Sequence, residues 1–225
     1  MSVMKKQLII FIKGILAGLS IGVGGLLYLT MIRYVDGELG KVLGSILFAI
    51  GLFTVCSCYL MLFTGKIGMV FEGKQDRSFY ISLPVMLIGN AIGAFLLGYV
   101  CYFLFRNTNI MDAVNATCDS RISLYTFNDY LSLIVKSLLC GTCVYLAVKS
   151  FSLNRLKPIG IALLVFFVFV FVYSGVQHCI ANMFYFVFGN CITINTFINL
   201  IICIIGNSVG TIPGVLLLKL IKKNK

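Results

Sequence analysis

The chain of 225 residues is 60% hydrophobic and only 11% charged, with a mean hydropathy of +1.04. Soluble domains average about half apolar and about a quarter charged residues, so this composition excludes a water-soluble globular enzyme. A net charge of +11 would favour a nucleic-acid partner in a soluble protein, but in a membrane protein it is first tested against loop topology. The chain is therefore expected to be a polytopic membrane protein.

Six long apolar windows follow one another along the chain and predict six membrane-spanning helices. A span needs about 20 apolar residues, so the length leaves no room for a second, aqueous domain. The first window starts close to Met1 without a small-residue cleavage site, so it is interpreted as a span and not as a signal peptide. The windows are Leu8–Ile32, Val42–Leu62, Phe79–Phe105, Tyr130–Val148, Ile159–Phe188 and Thr196–Ile221.

Basic residues are distributed unequally between the two sides of the membrane. The side that holds both termini carries 12 basic residues against Glu72 and Asp76, whereas the opposite side carries four basic and five acidic residues. The 12 are Lys5, Lys6, Lys13, Lys74, Arg77, Lys149, Arg155, Lys157, Lys219, Lys222, Lys223 and Lys225. Because cytoplasmic loops are enriched in lysine and arginine, both termini are expected in the cytoplasm and the protein in the inner (plasma) membrane, within the lipid bilayer. The charge is thus explained by topology, and no nucleic-acid partner is expected.

Two windows are expected to be interrupted helices. The window Ile159–Phe188 has 30 residues; one straight helix of that length would be about 45 Å long, against a hydrocarbon core of about 30 Å. It is expected to break at 174–178, where Ser-Gly-Val-Gln-His interrupts the apolar pattern, and the second window at 64–68, Thr-Gly-Lys-Ile-Gly. Irregular backbone at membrane depth persists only where it is buried in protein or lines a cavity.

A glycine-asparagine element occurs twice and indicates an internal repeat. Residues 88–94 read IGNAIGA and residues 205–211 read IGNSVGT, and each follows an interrupted window. Three spans per half give the halves opposite orientations, so repeats at about 8–105 and about 127–222 are expected within a single domain, 1–225. Inverted repeats with paired interrupted helices are typical of channels and secondary transporters, with the site near the midplane.

His178 is the only histidine in the chain, and it lies at the second predicted break. An ionisable group at membrane depth indicates a functional site, and the competing interpretation is a neutral imidazole bonded to a backbone carbonyl. As a site residue it would donate a hydrogen bond or a proton to a passing anion. Thr64, at the first break, would either bond a freed carbonyl locally or hold the imidazole and meet the substrate.

Four further residues are candidates for supporting roles. Asn90 and Asn207 are expected to tie down unwound backbone rather than to contact substrate. Lys136, midway along the fourth span, would attract anions, pair with a carboxylate or extend its amine toward the interface. Lys66, which follows the first break, is placed to reach a cytoplasmic vestibule.

The nine cysteines are interpreted as small buried hydrophobes, because all but Cys118 lie within or at the ends of apolar spans. No second histidine or nearby carboxylate accompanies them, so no metal, cofactor or disulfide is expected. No phosphate-binding glycine loop, intramembrane carboxylate pair or Ser/His/Asp constellation is present, so the chain is not expected to be an enzyme. A membrane redox protein that binds haem is the alternative from another class.

The stretch Leu62-Phe63-Thr64-Gly65, the run SGVQHCIANMF at 174–184 and the two Gly-Asn-x-x-Gly elements resemble the formate/nitrite transporter family, which includes hydrosulfide channels. The resemblance covers about residues 13–220. It implies an all-α, aquaporin-like protomer with six transmembrane helices, of which helices 2 and 5 are interrupted, and a homopentamer with a pore through each subunit. It places Thr64 and His178 at the pore centre, with Asn182 among the supporting residues. The constrictions it implies are formed by Phe48, Leu52, Leu62, Phe63, Val144 and Phe171.

The sequence departs from the family pattern at several positions. Gly141 stands where the family has a pore-facing asparagine, Gln177 where many members have a glutamate, and Tyr125 falls nearest to a vestibule lysine; the N-terminal amphipathic helix is nearly absent. We therefore expect a channel or transporter for a small monovalent anion (formate, nitrite or hydrosulfide) that permeates by proton coupling or as the neutral acid. An aquaporin-like pore for neutral solutes is the nearest alternative.

Overall fold

The computed structural model describes residues 3–154 and 156–223, and every regular element within these ranges is a helix. Arg155 and Lys225, which the topology prediction counts, lie outside the described residues, as do the side chains of Lys222 and Lys223. The helices are α1 (Val3–Tyr34), α2 (Gly37–Ser57), α3 (Phe63–Lys66), α4 (Met69–Glu72), α5 (Arg77–Phe105), α6 (Ile110–Ile122), α7 (Phe127–Leu153), α8 (Lys157–Tyr173), α9 (Cys179–Phe188), α10 (Ile194–Val209) and α11 (Thr211–Lys223).

The helices match the six predicted apolar windows, and two of these windows are interrupted. Five segments of the described chain are long and apolar enough to cross a membrane: α1, α2, α5, α7 and the continuous run of α10 with α11. The helices α8 and α9 are shorter apolar helices of 17 and 10 residues, which follow one another across the break at 174–178 and together cover the fifth predicted window. The predicted all-α membrane architecture with interrupted second and fifth helices is confirmed.

Close helix packing explains several glycines. The helix α1 packs against α2 and α5, and α7 packs in the same way against α8 and α10. A Cβ added to Gly18 would fall 2.1 Å from the carbonyl oxygen of Asn90, and one added to Gly141 would fall 2.2 Å from that of Asn207. Gly141 therefore faces α10, and a larger residue there would separate the two helices.

The second interruption lies where it was predicted, but the first begins earlier. The helix α8 ends at Tyr173 and α9 begins at Cys179. The helix α2 ends at Ser57, so the unwound stretch is 58–62, and the residues 64–66 that were expected to form the break instead belong to α3. The predicted position of the first break was therefore wrong by six residues, since the break was expected at 64–68 and lies at 58–62.

The first break was hidden because its turn contains no glycine. Both α2 and α8 end in a turn in which an N–H donates to the carbonyl five residues earlier, from Leu60 at 2.9 Å and from Val176 at 3.2 Å. This Schellman geometry needs a left-handed residue, which is Gly175 (φ 65°) in one case and Tyr59 (φ 51°) in the other. Glycine is the usual signal for this conformation, and tyrosine gives none.

The helix α6 was not predicted; it lies between the third and fourth predicted apolar windows, in a segment on the side opposite the termini. We call the end of the helix bundle that carries α6 the outer side, and the opposite end, which carries both chain termini, the inner side. Ile110, Val114 and Cys118 are buried on the face of α6 that packs against the rest of the protein. The helix contacts α1, α9 and α10, and so covers the outer end of α9.

Candidate functional site

Thr64 and His178 meet inside the protein, at the starts of α3 and α9. Thr64 Oγ1 lies 2.9 Å from His178 Nε2, and both residues are buried. His178 is the N-cap of α9, and its Nδ1 accepts a hydrogen bond from the N–H of Ala181 at 3.2 Å. A neutral ring that accepts at Nδ1 carries its proton on Nε2, so Nε2 donates to the Thr64 oxygen. The hydroxyl hydrogen of Thr64 is then left to donate elsewhere.

Asn90 in α5 anchors the start of α3. Its Oδ1 accepts the N–H of Phe63 at 2.8 Å. Its Nδ2 donates to the carbonyl of Met61 at 2.8 Å and to that of Gly14 in α1 at 2.9 Å. The amide group thus satisfies two backbone groups that the unwound stretch leaves free, and its bond to Gly14 ties them to α1.

Asn207 in α10 makes the equivalent set of bonds at the start of α9. Its Oδ1 accepts the N–H of Cys179 at 2.9 Å, and its Nδ2 donates to the carbonyls of Gln177 at 2.8 Å and Ser137 in α7 at 2.9 Å. Each asparagine therefore accepts from the first residue of a short helix and donates to the carbonyl two residues before it. By this pattern the counterpart of His178 in the first half is Leu62.

Two phenylalanines cover the outer side of His178. The rings of Phe48 in α2 and Phe171 in α8 meet edge to face, with centroids 5.7 Å apart. The Phe171 ring also stacks on the imidazole at 6.1 Å and an interplanar angle of 28°. Both phenylalanines are buried, so this contact forms an apolar layer directly beside the polar pair.

The other predicted constriction residues do not all come together. Leu52, Leu62 and Val144 belong to the same buried apolar cluster as Phe48 and Phe171. Phe63 instead packs in a separate cluster with Ile10, Leu83 and Met86, toward α1 and α5.

A cavity of about 760 Å³ leads from the outer side to this layer. Phe48, Phe171 and His178 are among its lining residues, and the cations Arg121 and Lys136 line it too. Lys136 also borders a smaller neighbouring space with Gln177. The predicted anion-attracting Lys136 is thus at the outer cavity.

Arg121 is a candidate site residue that sequence reasoning missed. Its Nε donates to Oδ1 of Asn182 at 3.0 Å, and its guanidinium carbon lies 4.8 Å from the centre of the Tyr185 ring. The carbonyl of Arg121 accepts from Nδ2 of Asn199 at 3.0 Å, which fixes the end of α6. No local pattern could identify Arg121, because its position depends on the packing of the unpredicted α6.

A directed chain of hydrogen bonds runs from Arg121 to Gln177. Because Asn182 accepts from Arg121 through Oδ1, its Nδ2 is the donor, to Gln177 Oε1 at 2.7 Å and to Asn199 Oδ1 at 2.9 Å. The side-chain oxygen of Gln177 is occupied by this bond. The NH₂ group of Gln177, which lines the outer cavity, is the part of this amide available to donate to an anion.

On the inner side, Lys66 borders a small cavity. The space is about 70 Å³ and is lined by Leu62, Lys66 and Val148, among others. Nearby, Glu72 pairs with Lys149 at 2.6 Å and accepts from the Tyr145 hydroxyl at 3.1 Å. The ion pair holds α4 against α7. One lysine therefore lies on each side of the Thr64–His178 pair.

No group of three or more His, Cys, Asp or Glu side chains is arranged to hold a metal ion within residues 3–154 and 156–223. All nine cysteines are free thiols.

Comparison with known proteins agrees with this architecture. The formate channel FocB of Escherichia coli (strain K12) is 25% identical over 189 residues, which cover 80% of this chain and 66% of the relative, just under two thirds of its length. The structure is similar to a pentameric formate channel with formate bound (TM-score 0.81, 22% identity, 98% of this chain and 99% of that chain). It is also similar to an FNT family ion channel (TM-score 0.78, 20% identity, 92% and 87%). The model of the formate/nitrite transporter family matches residues 2–221, and the chain therefore belongs to that family.

Proposed function

We propose that the protein conducts small monovalent anions such as formate, nitrite or hydrosulfide through a pore centred on Thr64 and His178. The observation that carries this proposal is the buried 2.9 Å contact between the two side chains, beside the apolar layer of Phe48 and Phe171 and with a cation on either side. Phe48 and Phe171 form the outer constriction; Leu52, Leu62 and Val144 form the inner one. Phe63 packs toward α1 and α5 and holds the start of α3 against them.

Proton transfer from His178 to the anion lowers the free-energy cost of removing the anion from water. Moving a bare anion through an apolar layer is very unfavourable, whereas the neutral acid crosses at far lower free energy. The imidazole has two nitrogens with different partners: Nδ1 at the Ala181 N–H and Nε2 at Thr64. A proton taken up at Nδ1 allows Nε2 to give its proton to the anion, and the ring is left neutral as the other tautomer. Uptake at Nδ1 breaks one N-cap bond, worth about 1 kcal/mol.

The proposal extends to assembly and orientation. The matching bonds of Asn90 and Asn207 support two inverted repeats, about 8–105 and about 127–222, in one domain. The excess of basic residues beside both termini supports a cytoplasmic location for them, in the inner membrane. The likeness to a pentameric channel suggests a homopentamer with one pore per subunit.

The substrate class is tested by stopped-flow flux in proteoliposomes. We expect flux that rises with formate, nitrite or hydrosulfide concentration and with falling pH, above that of empty vesicles, and no increase for urea or glycerol. Flux of neutral solutes without anion-dependent flux would overturn the proposal in favour of an aquaporin-like pore.

Arg121 is expected to concentrate anions in the outer cavity together with Lys136. Arg121→Gln should lower flux by up to about tenfold at low anion concentration and low ionic strength, because a cation lining a cleft attracts anions and salt screens that attraction. Arg121→Lys should retain most of the flux. Arg106→Gln, an exposed cation of the same side, is the matched control. Equal fluxes for Arg121→Gln and Arg106→Gln at every salt concentration would contradict this role.

A further inference from the structure

Two cysteines come together on the outer side, although the sequence predicted no disulfide. Cys118 lies in α6, and Cys191 lies in the turn between α9 and α10. The Cys118 sulfur is 3.2 Å from the carbonyl oxygen of Tyr185, and the Cys191 sulfur is 3.5 Å from the next carbonyl, that of Phe186. The Cys118 sulfur also packs against Gly189, where a Cβ would fall 2.5 Å from it. The two thiols therefore occupy one site and interact with each other.

The two thiols differ in accessibility and acidity. Cys118 is buried, whereas Cys191 is partly exposed. The interaction with Cys118 lowers the pKa of the Cys191 thiol, and the interaction with Cys191, together with burial, raises the pKa of Cys118. Because the thiolate is the nucleophile in disulfide exchange, Cys191 is the first to react and Cys118 the second.

We propose that Cys118 and Cys191 form a reversible disulfide that fixes α6 over the outer cavity. The oxidant is a disulfide, either of a small thiol or of a thiol oxidoreductase. The Cys191 thiolate attacks it, forming a mixed disulfide and releasing one thiolate; the Cys118 sulfur then attacks Cys191 and releases the second. The two protein thiols are oxidised, the reagent disulfide is reduced to two thiols, and the two protons leave with them.

The bond would act on the helix that lines the outer cavity. The carbonyl of Ile122 already accepts from Asn195 Nδ2 at 2.9 Å, at the C-terminal end of α6. The disulfide would add a covalent tie one turn earlier, close to the cavity-lining Thr117 and Arg121. The proposal rests on the proposed orientation, in which this side faces the more oxidising compartment, but not on the identity of the substrate.

Oxidised glutathione tests the proposal on the purified full-length protein. After oxidation, alkylation of remaining thiols and proteolysis, mass spectrometry should detect a linked Cys118–Cys191 peptide that a phosphine reductant removes. The linked peptide should disappear in Cys191→Ser and in Cys118→Ser, and it should persist in Cys58→Ser, which changes an exposed cysteine of the inner side.

A second measurement keeps the test decisive if a serine variant folds poorly. In the native, reduced protein, a maleimide should modify Cys191 faster than Cys118. Complete alkylation of both residues after oxidation of folded wild-type protein, or linkage of Cys191 to another cysteine, would overturn the proposal. The linked peptide is independent of ion flux, so its absence and a failure of the transport proposal are distinguishable.

Discussion

Replacing His178 with asparagine is expected to abolish the pH dependence of protein-mediated anion flux, which is the flux measured after subtraction of that of empty vesicles. Asparagine is a good N-cap and can still accept from the Ala181 N–H, so α9 should start correctly. It cannot take up a proton, however, and the proposed transfer from Nε2 is lost. We expect flux near pH 5 to fall by about tenfold or more, since a positioned proton donor typically contributes at least that much.

The sign of the pH dependence follows from the proposed proton transfer. In the wild type, flux should fall as pH rises from about 5 to about 8, because fewer protons reach the ring and less of the substrate is neutral. His178→Phe removes the cap as well as the proton and serves as the comparison. If His178→Asn keeps the wild-type pH profile while His178→Phe loses flux, the histidine acts as a helix cap and not as a proton donor.

Replacing Asn207 with alanine is expected to destabilise the protein severely. The substitution leaves the N–H of Cys179 and the carbonyl of Gln177 without their side-chain partner, and it removes the bond that ties Asn207 to the carbonyl of Ser137 in α7. Each unpaired buried group costs about 1–3 kcal/mol, so the two groups together predict a loss of about 2 kcal/mol or more. The measurement is the thermal unfolding temperature in detergent.

The neighbouring residue provides a matched control. Ser208 Oγ bonds only to the carbonyl of Ile204 in its own helix, so Ser208→Ala should change stability by less than about 0.5 kcal/mol. Asn90→Ala, which removes the equivalent three bonds in the first half, should match Asn207→Ala. An unfolding temperature for Asn207→Ala close to that of Ser208→Ala would show that the backbone groups find other partners.

The sequence was sufficient for the features that depend on local composition. Apolar length predicted the spans, because a helix must traverse a hydrocarbon core of nearly constant thickness. The second break was predicted correctly because Gly175 marks its left-handed turn. The first break was misplaced because Tyr59 occupies the corresponding position without any such signal.

The tertiary structure decided which side chains meet. His178 and Thr64 were both selected from the sequence, but the hydrogen-bond pattern pairs His178 with Leu62, and Thr64 lies two residues further along its short helix. They meet because α3 and α9 start at the same point, a relation between segments more than a hundred residues apart. Local periodicity carries no information about such contacts.

The same reason explains which packing partners the sequence could not predict. Phe63 has the apolar character of a constriction residue but packs toward α1 and α5. Arg121 and Cys118 lie in a segment whose weak apolar pattern predicted only a loop, and their partners come from α9, α10 and the turn between them. Composition and hydropathy by themselves indicated a multi-span membrane protein with a histidine at a break. Only the packing of α6 onto α9 and α10 decided what lines the outer cavity, because those contacts join surfaces that lie far apart in the chain.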